Sequence, residues 1–201
     1  MTSLVVVSAG LSDPSSTRLL ADRIATVTAR SAGDLDVVHV ELRDLAHQLT
    51  DRLLTGFAAE RLAAAQDAVA AADGVVAVTP VLSASYSGLF KTFFDVLDEG
   101  ALEGVPVLIA ATAGTPRHSL VLEHALRPLF SHLRAVVVPT AVFAATADFA
   151  SADLEARVGR AAGELAALLG ATDATPARRR TADDALDDVT PFEELLRQAG
   201  Q

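Results

Sequence analysis

The sequence predicts an α/β protein built on a doubly wound parallel sheet, because strand-like and helix-like segments alternate along it five times. The strand-like segments are short, rich in β-branched residues and apolar along nearly their whole length, as strands buried on both faces are. They cover residues 4–8, 36–41, 74–79, 105–111 and 135–139. Segments with helical spacing of apolar residues cover residues 16–30, 60–72, 87–97, 119–133 and 153–169.

The alternation also predicts the order of the strands. Right-handed crossovers between parallel strands place helices on both faces of the sheet. Five strands and five helices match the flavodoxin-like order 2-1-3-4-5, in which a ligand binds beyond the carboxyl ends of the strands at the switch point between strands 1 and 3. The loops that begin at Ser8, Thr79 and Thr112 are therefore the candidate ligand loops, and they are the richest in Ser, Thr, Gly and Pro.

Composition excludes several classes of protein. Hydrophobic residues make up 51% of the 201 residues and charged residues 21%, which is typical of a folded domain with a compact interior. The net charge of -10 repels phosphate backbones, so we expect no nucleic-acid partner. The chain has no cysteine, which excludes disulfides, thiolate nucleophiles and Cys-based metal sites. The sequence has neither a basic leader nor an apolar run of membrane-spanning length, so we expect a cytoplasmic protein with no membrane partner.

The composition changes near residue 171, which predicts a boundary there. Residues 1–170 hold all the strand and helix segments and are expected to form one domain. Residues 171–190 contain few large apolar side chains and split into a basic and an acidic block, as linkers often do. Thr190 and Pro191 then suit the start of a short C-terminal helix over residues 191–201.

The first candidate loop, SAGLSDPSST, is rich in hydroxyl groups and leads into a helix. The N-terminus of a helix offers free backbone N–H groups, and hydroxyls at Ser8, Ser15 and Thr17 would complete a cradle for a phosphate. Helix capping alone explains the same residue types equally well. Neither G-x-G-x-x-G nor G-x-x-x-x-G-K-[ST] occurs, which argues against a dinucleotide-binding Rossmann site and against a P-loop.

The second and third loops each allow two interpretations. Pro80 biases Thr79 toward an extended backbone, which predicts a rigid turn with N–H groups facing a planar ligand; alternatively, Pro80 only ends the strand. Small residues in the third loop, ATAG, would let the backbone approach a flat ring closely. Alternatively, Gly114 only serves a turn that requires a positive φ.

Other catalytic motifs are not found in the sequence. His118, His124 and His132 lack a carboxylate-rich partner at i, i+4, and H-E-x-x-H is absent, so no metal site is predicted. G-x-S-x-G does not follow any strand, which argues against a serine hydrolase. Arg117 and His118 would be placed to meet a nucleotide phosphate, but simple solvation explains them as well.

Three blocks, SAGLSDPSST, TPVLSASYSGLFKTFFD and ATAGTPRHSLVLEHALRPLF, together resemble the NADPH-dependent FMN reductase family. Within that family the chain is most similar to the actinobacterial FMN reductases that accompany luciferase-like flavin-dependent monooxygenases. The resemblance is strongest over residues 3–169, and its most specific part is the T-P-x-x-x-x-S-Y-S-G-x-F-K-x-F-F-D block.

The resemblance implies which residues contact FMN. Ser8, Ser15 and Thr17 stand where the family binds the FMN phosphate, and Arg18 lies beside them as a possible charge partner. The two loops that contact the isoalloxazine ring correspond to Pro80, Val81, Leu82, Ser83, Tyr86, Thr112, Ala113 and Gly114. Two positions depart from the family's pattern. The family often has an aromatic residue at the position of Leu82 and a glycine at the position of Ala113.

The resemblance also implies an NAD(P)H-dependent FMN reductase that transfers a hydride from nicotinamide to FMN N5 and supplies reduced FMN to a monooxygenase. NADPH or NADH is the implied electron donor, and catalysis would depend on positioning rather than on an acid or a base. Two alternatives on the same fold stay open: an FMN-bound quinone or azo reductase, and a flavodoxin-like electron carrier without enzymatic activity.

A homodimer or homotetramer is the assembly that the resemblance implies. Phe90, Phe93 and Phe94 have the helical spacing of core residues. Three large rings on one helix would also support an oligomer if a single core could not absorb all of them.

Overall fold

The structure is a computed structural model that describes residues 2–170; the predicted linker and C-terminal helix lie outside the described residues. The strands are β1 (Thr2–Ser8), β2 (Leu35–Glu41), β3 (Gly74–Leu82), β4 (Ser85–Tyr86), β5 (Pro106–Ala113), β6 (Val136–Val137) and β7 (Val142–Ala145). The α-helices are α1 (Ser16–Ala32), α2 (Ala46–Thr55), α3 (Glu60–Ala71), α4 (Gly88–Asp95), α5 (Arg127–His132) and α6 (Ala152–Gly170).

The sheet has the predicted flavodoxin-like topology. Its parallel strands lie in the order β2-β1-β3-β5, and β6 and β7 both pair with β5 in the fifth position. Alternate side chains of β1 enter two separate apolar clusters, with Val5 and Val7 in one and Leu4 and Val6 in the other. Helices α1 and α6 cover the second cluster, and α2 to α5 cover the first. The strands are therefore buried on both faces, and the predicted fold is confirmed.

The fifth strand differs from its prediction over residues 135–139. It is divided into β6 and β7, and the main pairing with the carboxyl end of β5 is made by β7, beyond the predicted segment. Pro139 lies in the gap between the two. Because proline has no N–H to donate, it interrupts the ladder, and pairing resumes only at Val142.

Two helical regions also differ from expectation. Helix α2 was not predicted, although Leu42, Leu45 and Leu49 recur at helical spacing and all three are buried. The helix predicted over residues 119–133 begins instead as a π-helical turn, Leu122–Leu126, which continues into α5. Pro128 lies in the first turn of α5, where its missing N–H breaks the regular α-helical ladder and a wider turn accommodates it.

The phenylalanines of α4 belong to the core of the single chain. Phe90, Phe93 and Phe94 are all buried, and their rings contact one another and Phe130 at centroid distances of 4.7 to 6.2 Å. Their assignment to the core is confirmed. The condition under which they would support an oligomer is not met, because Phe130 of α5 completes the cluster within the chain.

Candidate functional site

The three candidate loops converge at the carboxyl edge of the sheet. Pro80 of β3 pairs in register with Thr112 of β5, which joins the second loop to the third. The buried hydroxyls of Thr17 and Thr112 lie 2.8 Å apart, which joins the first loop to the third across 95 residues of sequence. The N–H of Ala9 donates to Val78 O at 3.0 Å and closes the space between β1 and β3. Tertiary pairing therefore brings all three loops together at one candidate site.

The first loop forms a tight cradle before α1. Ser15 caps the helix, its Oγ accepting a hydrogen bond from Arg18 N at 3.2 Å. A Cβ added to Gly10 would lie 2.0 Å from Ser15 Oγ, so only glycine lets the chain approach the cap this closely. Ser8 ends β1 fully buried, and its Oγ has no hydrogen-bond partner among the described residues.

This cradle fits a phosphate group. A buried hydroxyl without a partner is costly unless a ligand or solvent satisfies it. Ser8 ends β1 at the start of the loop that leads into the 17-residue helix α1, and the free N–H groups and dipole at the N-terminus of that helix favour an anion. Ser15 accepts a bond through its Oγ but keeps its own O–H proton to donate. The helix-capping interpretation holds for Ser15, yet it leaves Ser8 unexplained.

The hydroxyl of Thr17, unlike that of Ser8, has a hydrogen-bond partner among the described residues. Thr17 is almost fully buried, and this hydroxyl is already paired with that of Thr112. In such a pair one hydroxyl donates and the other accepts, so one O–H proton remains for a third partner. Thr17 and Thr112 therefore connect two loops in addition to any contact with a ligand.

The second loop is a hairpin rather than a strand end. β3 continues through Pro80 to Leu82 and returns antiparallel as β4, so the interpretation that Pro80 only ends the strand is wrong. The turn residues Ser83 and Ala84 have φ values of 50° and 66°, as a two-residue hairpin turn of type I′ requires. Neither is glycine, so both positions carry backbone strain.

The base of this hairpin is held by Thr79. Its buried hydroxyl accepts from Ser87 N and donates to Pro80 O, each at 3.0 Å. Ser87 in turn caps α4 by accepting from Phe90 N. The hairpin is thus tied to both β3 and α4, which gives the rigidity predicted for this loop.

The side chains of the hairpin leave one wall of the site open. Val81 and Tyr86 are half-buried opposite each other in register, whereas Ser83 and Leu82 are exposed, Leu82 by 46%. Tyr86 packs its ring 6.0 Å from that of Phe90, which anchors the hairpin on the core. The hairpin presents an accessible apolar surface above the carboxyl edge of the sheet.

The third loop offers space instead of side chains. Thr112 is buried, Ala113 is half-buried and Gly114 is exposed. Gly114 does not have a positive φ, and a Cβ added to it would meet no atom within 4 Å. The alternative that Gly114 serves a positive-φ turn is therefore wrong, and the space beside it is available to a ligand.

Arg18 lies beside the cradle but is held by carboxylates. Its Nε donates to both oxygens of Asp22, and its Nη1 forms an ion pair with Glu41 Oε1 at 3.0 Å. The hydrogen bond to Asp22 is the main cause that raises the pKa of Arg18. Burial raises the pKa of Glu41, although Arg18 and the nearby Ser8 hydroxyl favour its charged form.

Sequence reasoning missed three residues of this site. Gly10 makes the cradle possible, Thr79 fixes the hairpin, and Glu41 faces Ser8 at the end of the neighbouring strand. A glycine within a hydroxyl-rich loop and an acid at the end of strand 2 were visible signals. Their roles depend on strand pairing, which those signals do not specify.

Within residues 2–170 no cluster of three or more His, Cys, Asp or Glu residues could hold a metal ion. In the same range, no helix combines the length and apolar character needed to cross a bilayer. Arg117 and His118 form an exposed 3₁₀ turn after β5. This exposure agrees with the interpretation that both side chains are simply solvated.

Comparison with known proteins identifies the family. The sequence model of the NADPH-dependent FMN reductase family matches residues 2–150. The chain belongs to this family. It is therefore an oxidoreductase of the FMN reductase class, with FMN and either NADPH or NADH as the small molecules that the family uses.

Curated relatives and solved structures agree with this membership. An FMN reductase (NADPH) of Pseudomonas aeruginosa is 41% identical over 172 residues, covering 83% of this chain and 92% of the relative. An NADH-dependent FMN reductase, SfnF, of Pseudomonas fluorescens is 40% identical over 174 residues, covering 83% and 91%.

Two crystal structures extend the comparison to the fold. An oxidoreductase from Corynebacterium diphtheriae is 51% identical with a TM-score of 0.83, covering 85% of this chain and 98% of that one. The apo form of an NADH:FMN oxidoreductase is 29% identical with a TM-score of 0.76, covering 94% and 100%. This reductase thus shares its fold and sequence with proteins named for FMN reduction.

Proposed function

We propose that this reductase takes up FMN at the carboxyl edge of β1, β3 and β5, reduces it with a nicotinamide nucleotide, and releases reduced FMN to a flavin-dependent monooxygenase. The observation that carries the proposal is the cradle of Gly10 and Ser15 beside the unpartnered hydroxyl of Ser8. When bound, FMN supplies the redox chemistry by accepting a hydride at N5.

The chain's own contribution is binding and positioning. We assign the phosphate to the first loop, where Ser8 and Ser15 would donate hydroxyl protons and the N-terminus of α1 would donate backbone N–H groups. The hydrogen bond between the hydroxyls of Thr17 and Thr112 ties the first loop to the third. No acid or base is assigned to the reaction, because positioning by rigid loops is the contribution that hydride transfer requires.

The flavin ring is assigned to the space between the hairpin and the third loop. Pro80 to Ser83 and Tyr86 would form one wall, and the backbone of Ala113 and Gly114 the other. The exposure of Leu82, Ser83 and Gly114 supports exchange with solvent, because a ligand placed there is incompletely enclosed. Such a site suits FMN that arrives as a substrate and leaves reduced.

The test begins with the purified protein without added flavin. A colourless protein that oxidises NADPH or NADH only when FMN is added supports the proposal, and the ratio of kcat/KM for the two nucleotides measures donor preference. Yellow protein that reduces a quinone without free FMN supports the FMN-bound quinone or azo reductase instead. Oxidation of neither nucleotide with FMN present contradicts the proposal.

A matched pair of glycine variants locates the site. Gly10→Ala should abolish detectable FMN binding, because its Cβ would collide with Ser15 Oγ. Gly114→Ala has room for its Cβ in the free protein, so folding should be unaffected and only FMN affinity should fall. Equal FMN affinity in Gly114→Ala and the parent would exclude the third loop from the site.

We also propose that the reductase is a homodimer or homotetramer. The support is a cluster of apolar side chains at the end of α2, where Leu53, Leu54 and Phe57 are 55%, 80% and 81% exposed. Contiguous exposed apolar surface often marks an interface. Light scattering should give a particle mass that is a multiple of the 20.8 kDa chain mass. The double variant Leu54→Gln, Phe57→Gln should have the mass of a single chain. A parent protein of single-chain mass would contradict the proposal.

A further inference from the structure

The ends of β1 and β2 bring a carboxylate against the proposed phosphate cradle. Ser8 and Glu41 are the last residues of their strands and are paired in register. Both Ser8 Oγ and Glu41 Oε1 are buried without a hydrogen-bond partner among the described residues. Glu41 Oε1 is nevertheless ion-paired with Arg18 Nη1 at 3.0 Å, so Ser8 Oγ is the buried polar atom of the two that a ligand or Glu41 itself must satisfy.

The charged side chains around Ser8, including that of Glu41, carry a net negative charge, which disfavours binding of an anion. Arg18 from α1 supplies one positive charge, while Asp22 from α1 and Glu41 from β2 each contribute a negative one. His39 of β2 lies 3.4 Å from Asp22 and adds a positive charge only when protonated. The cation next to the cradle is therefore engaged by two carboxylates instead of being free to meet a phosphate.

We propose that Glu41 sets the affinity for the flavin phosphate, holding it low by repelling the phosphate and by retaining Arg18. This inference rests on the proposed function and deepens it. Low phosphate affinity would favour release of reduced FMN from the cradle. Glu41 acts on the ligand through charge and through Arg18 and Ser8, so it is a positioning residue and not a catalytic one.

Replacing Glu41 by Gln keeps its shape and removes its charge. Arg18 is then released from one of its two carboxylates, and the local charge becomes neutral. FMN should bind about three- to thirtyfold more tightly, the scale of removing one like charge several ångströms away in a partly solvated site. Riboflavin has the same ring but no phosphate, so its Kd should be unchanged.

The experiment titrates FMN and riboflavin against the parent, Glu41→Gln and Glu103→Gln, following quenching of flavin fluorescence. Glu103 is a matched control, because its carboxylate pairs with Arg134 on the exposed surface. The advantage of Glu41→Gln over the parent should shrink as the pH falls, since protonation of Glu41 neutralises the parent as well. The Glu103→Gln variant should behave as the parent at every pH.

The outcomes separate this inference from the proposed function. Unchanged or weaker FMN binding in Glu41→Gln would overturn the role of Glu41 while leaving FMN reduction intact. Equal tightening of FMN and riboflavin would also overturn it, because the effect would then lie on the ring. A parent protein that binds neither flavin would contradict the proposed function itself, and this inference with it.

Discussion

At the scale of single residues, Ser8 and Thr17 are expected to respond differently to loss of their hydroxyls. Ser8 Oγ is buried without a hydrogen-bond partner among the described residues, so Ser8→Ala removes an unsatisfied group and should not lower the melting temperature. FMN binding should weaken by about 1 to 3 kcal/mol, the scale of a hydrogen bond to a charged group. Titration calorimetry measures the binding.

Thr17→Val is the matched comparison, because it removes a hydroxyl that is already paired with Thr112. It should lower stability by about 1 to 3 kcal/mol, since the buried partner is left unsatisfied, as well as weaken FMN binding. If Ser8→Ala binds FMN as the parent does, the phosphate does not lie at the end of β1.

Two glutamates should give opposite pH dependence of stability. Burial raises the pKa of Glu41, so the folded state binds its proton more tightly than the unfolded chain does. Stability from this group is present at low pH and is lost as the pH rises above the ordinary value of 4.5 through the folded pKa. Glu41→Gln should therefore remove a decline in stability between about pH 4.5 and neutrality.

The pKa of Glu123 is shifted in the opposite direction, so its contribution to stability changes with pH in the opposite sense. Its hydrogen bonds with Arg127 lower its pKa, so its contribution is present above 4.5 and is lost as the pH falls through the folded pKa. Glu123→Gln should make the acid side of the stability profile slightly shallower, because the pair is largely exposed and screened. Chemical denaturation from pH 3 to 8 would test both, and identical profiles for the two variants would contradict the assignment.

At the scale of elements, the β3–β4 hairpin is predicted to contain removable strain. Ala84 has a φ of 66°, which costs an L-residue about 1 to 2 kcal/mol relative to glycine. Ala84→Gly should raise stability by up to about 1 kcal/mol after the entropy of glycine is subtracted. The same change at exposed Ala64 in the interior of α3 should lower stability by about 1 kcal/mol. Urea unfolding measures both, and a loss of stability in Ala84→Gly would show that the turn is unstrained.

At the scale of the whole molecule, the fold is expected to be complete within residues 2–170. Both apolar clusters and the seven-stranded sheet of the described residues are closed by contacts inside this range. A chain that ends at Gly170 should keep cooperative thermal unfolding and its rate of FMN reduction. A truncated chain that folds but no longer reduces FMN would show that residues 171–201 belong to the site.

Much of this architecture follows from local pattern. The apolar runs of β1, β3 and β5 predict strands buried on both faces, and their alternation with helices predicts the parallel order that the structure confirms. The same logic places the ligand loops after Ser8, Thr79 and Thr112, because parallel strands all end at one edge. The predictions were weaker where proline interrupts an element, as at Pro128 and Pro139.

The sequence by itself therefore determined the fold class, the edge of the sheet where the candidate site lies and the loops that surround it, since these depend on periodicity and on the residue types at strand ends. Only the tertiary structure decided that Thr17 meets Thr112, that Gly10 makes room for Ser15, and that Ser8 faces Glu41. The Thr17–Thr112 and Ser8–Glu41 contacts join segments far apart in sequence through strand register, and a one-residue shift in register would change these partners. The approach of Gly10 to Ser15 is local in sequence, but it depends on how the loop packs.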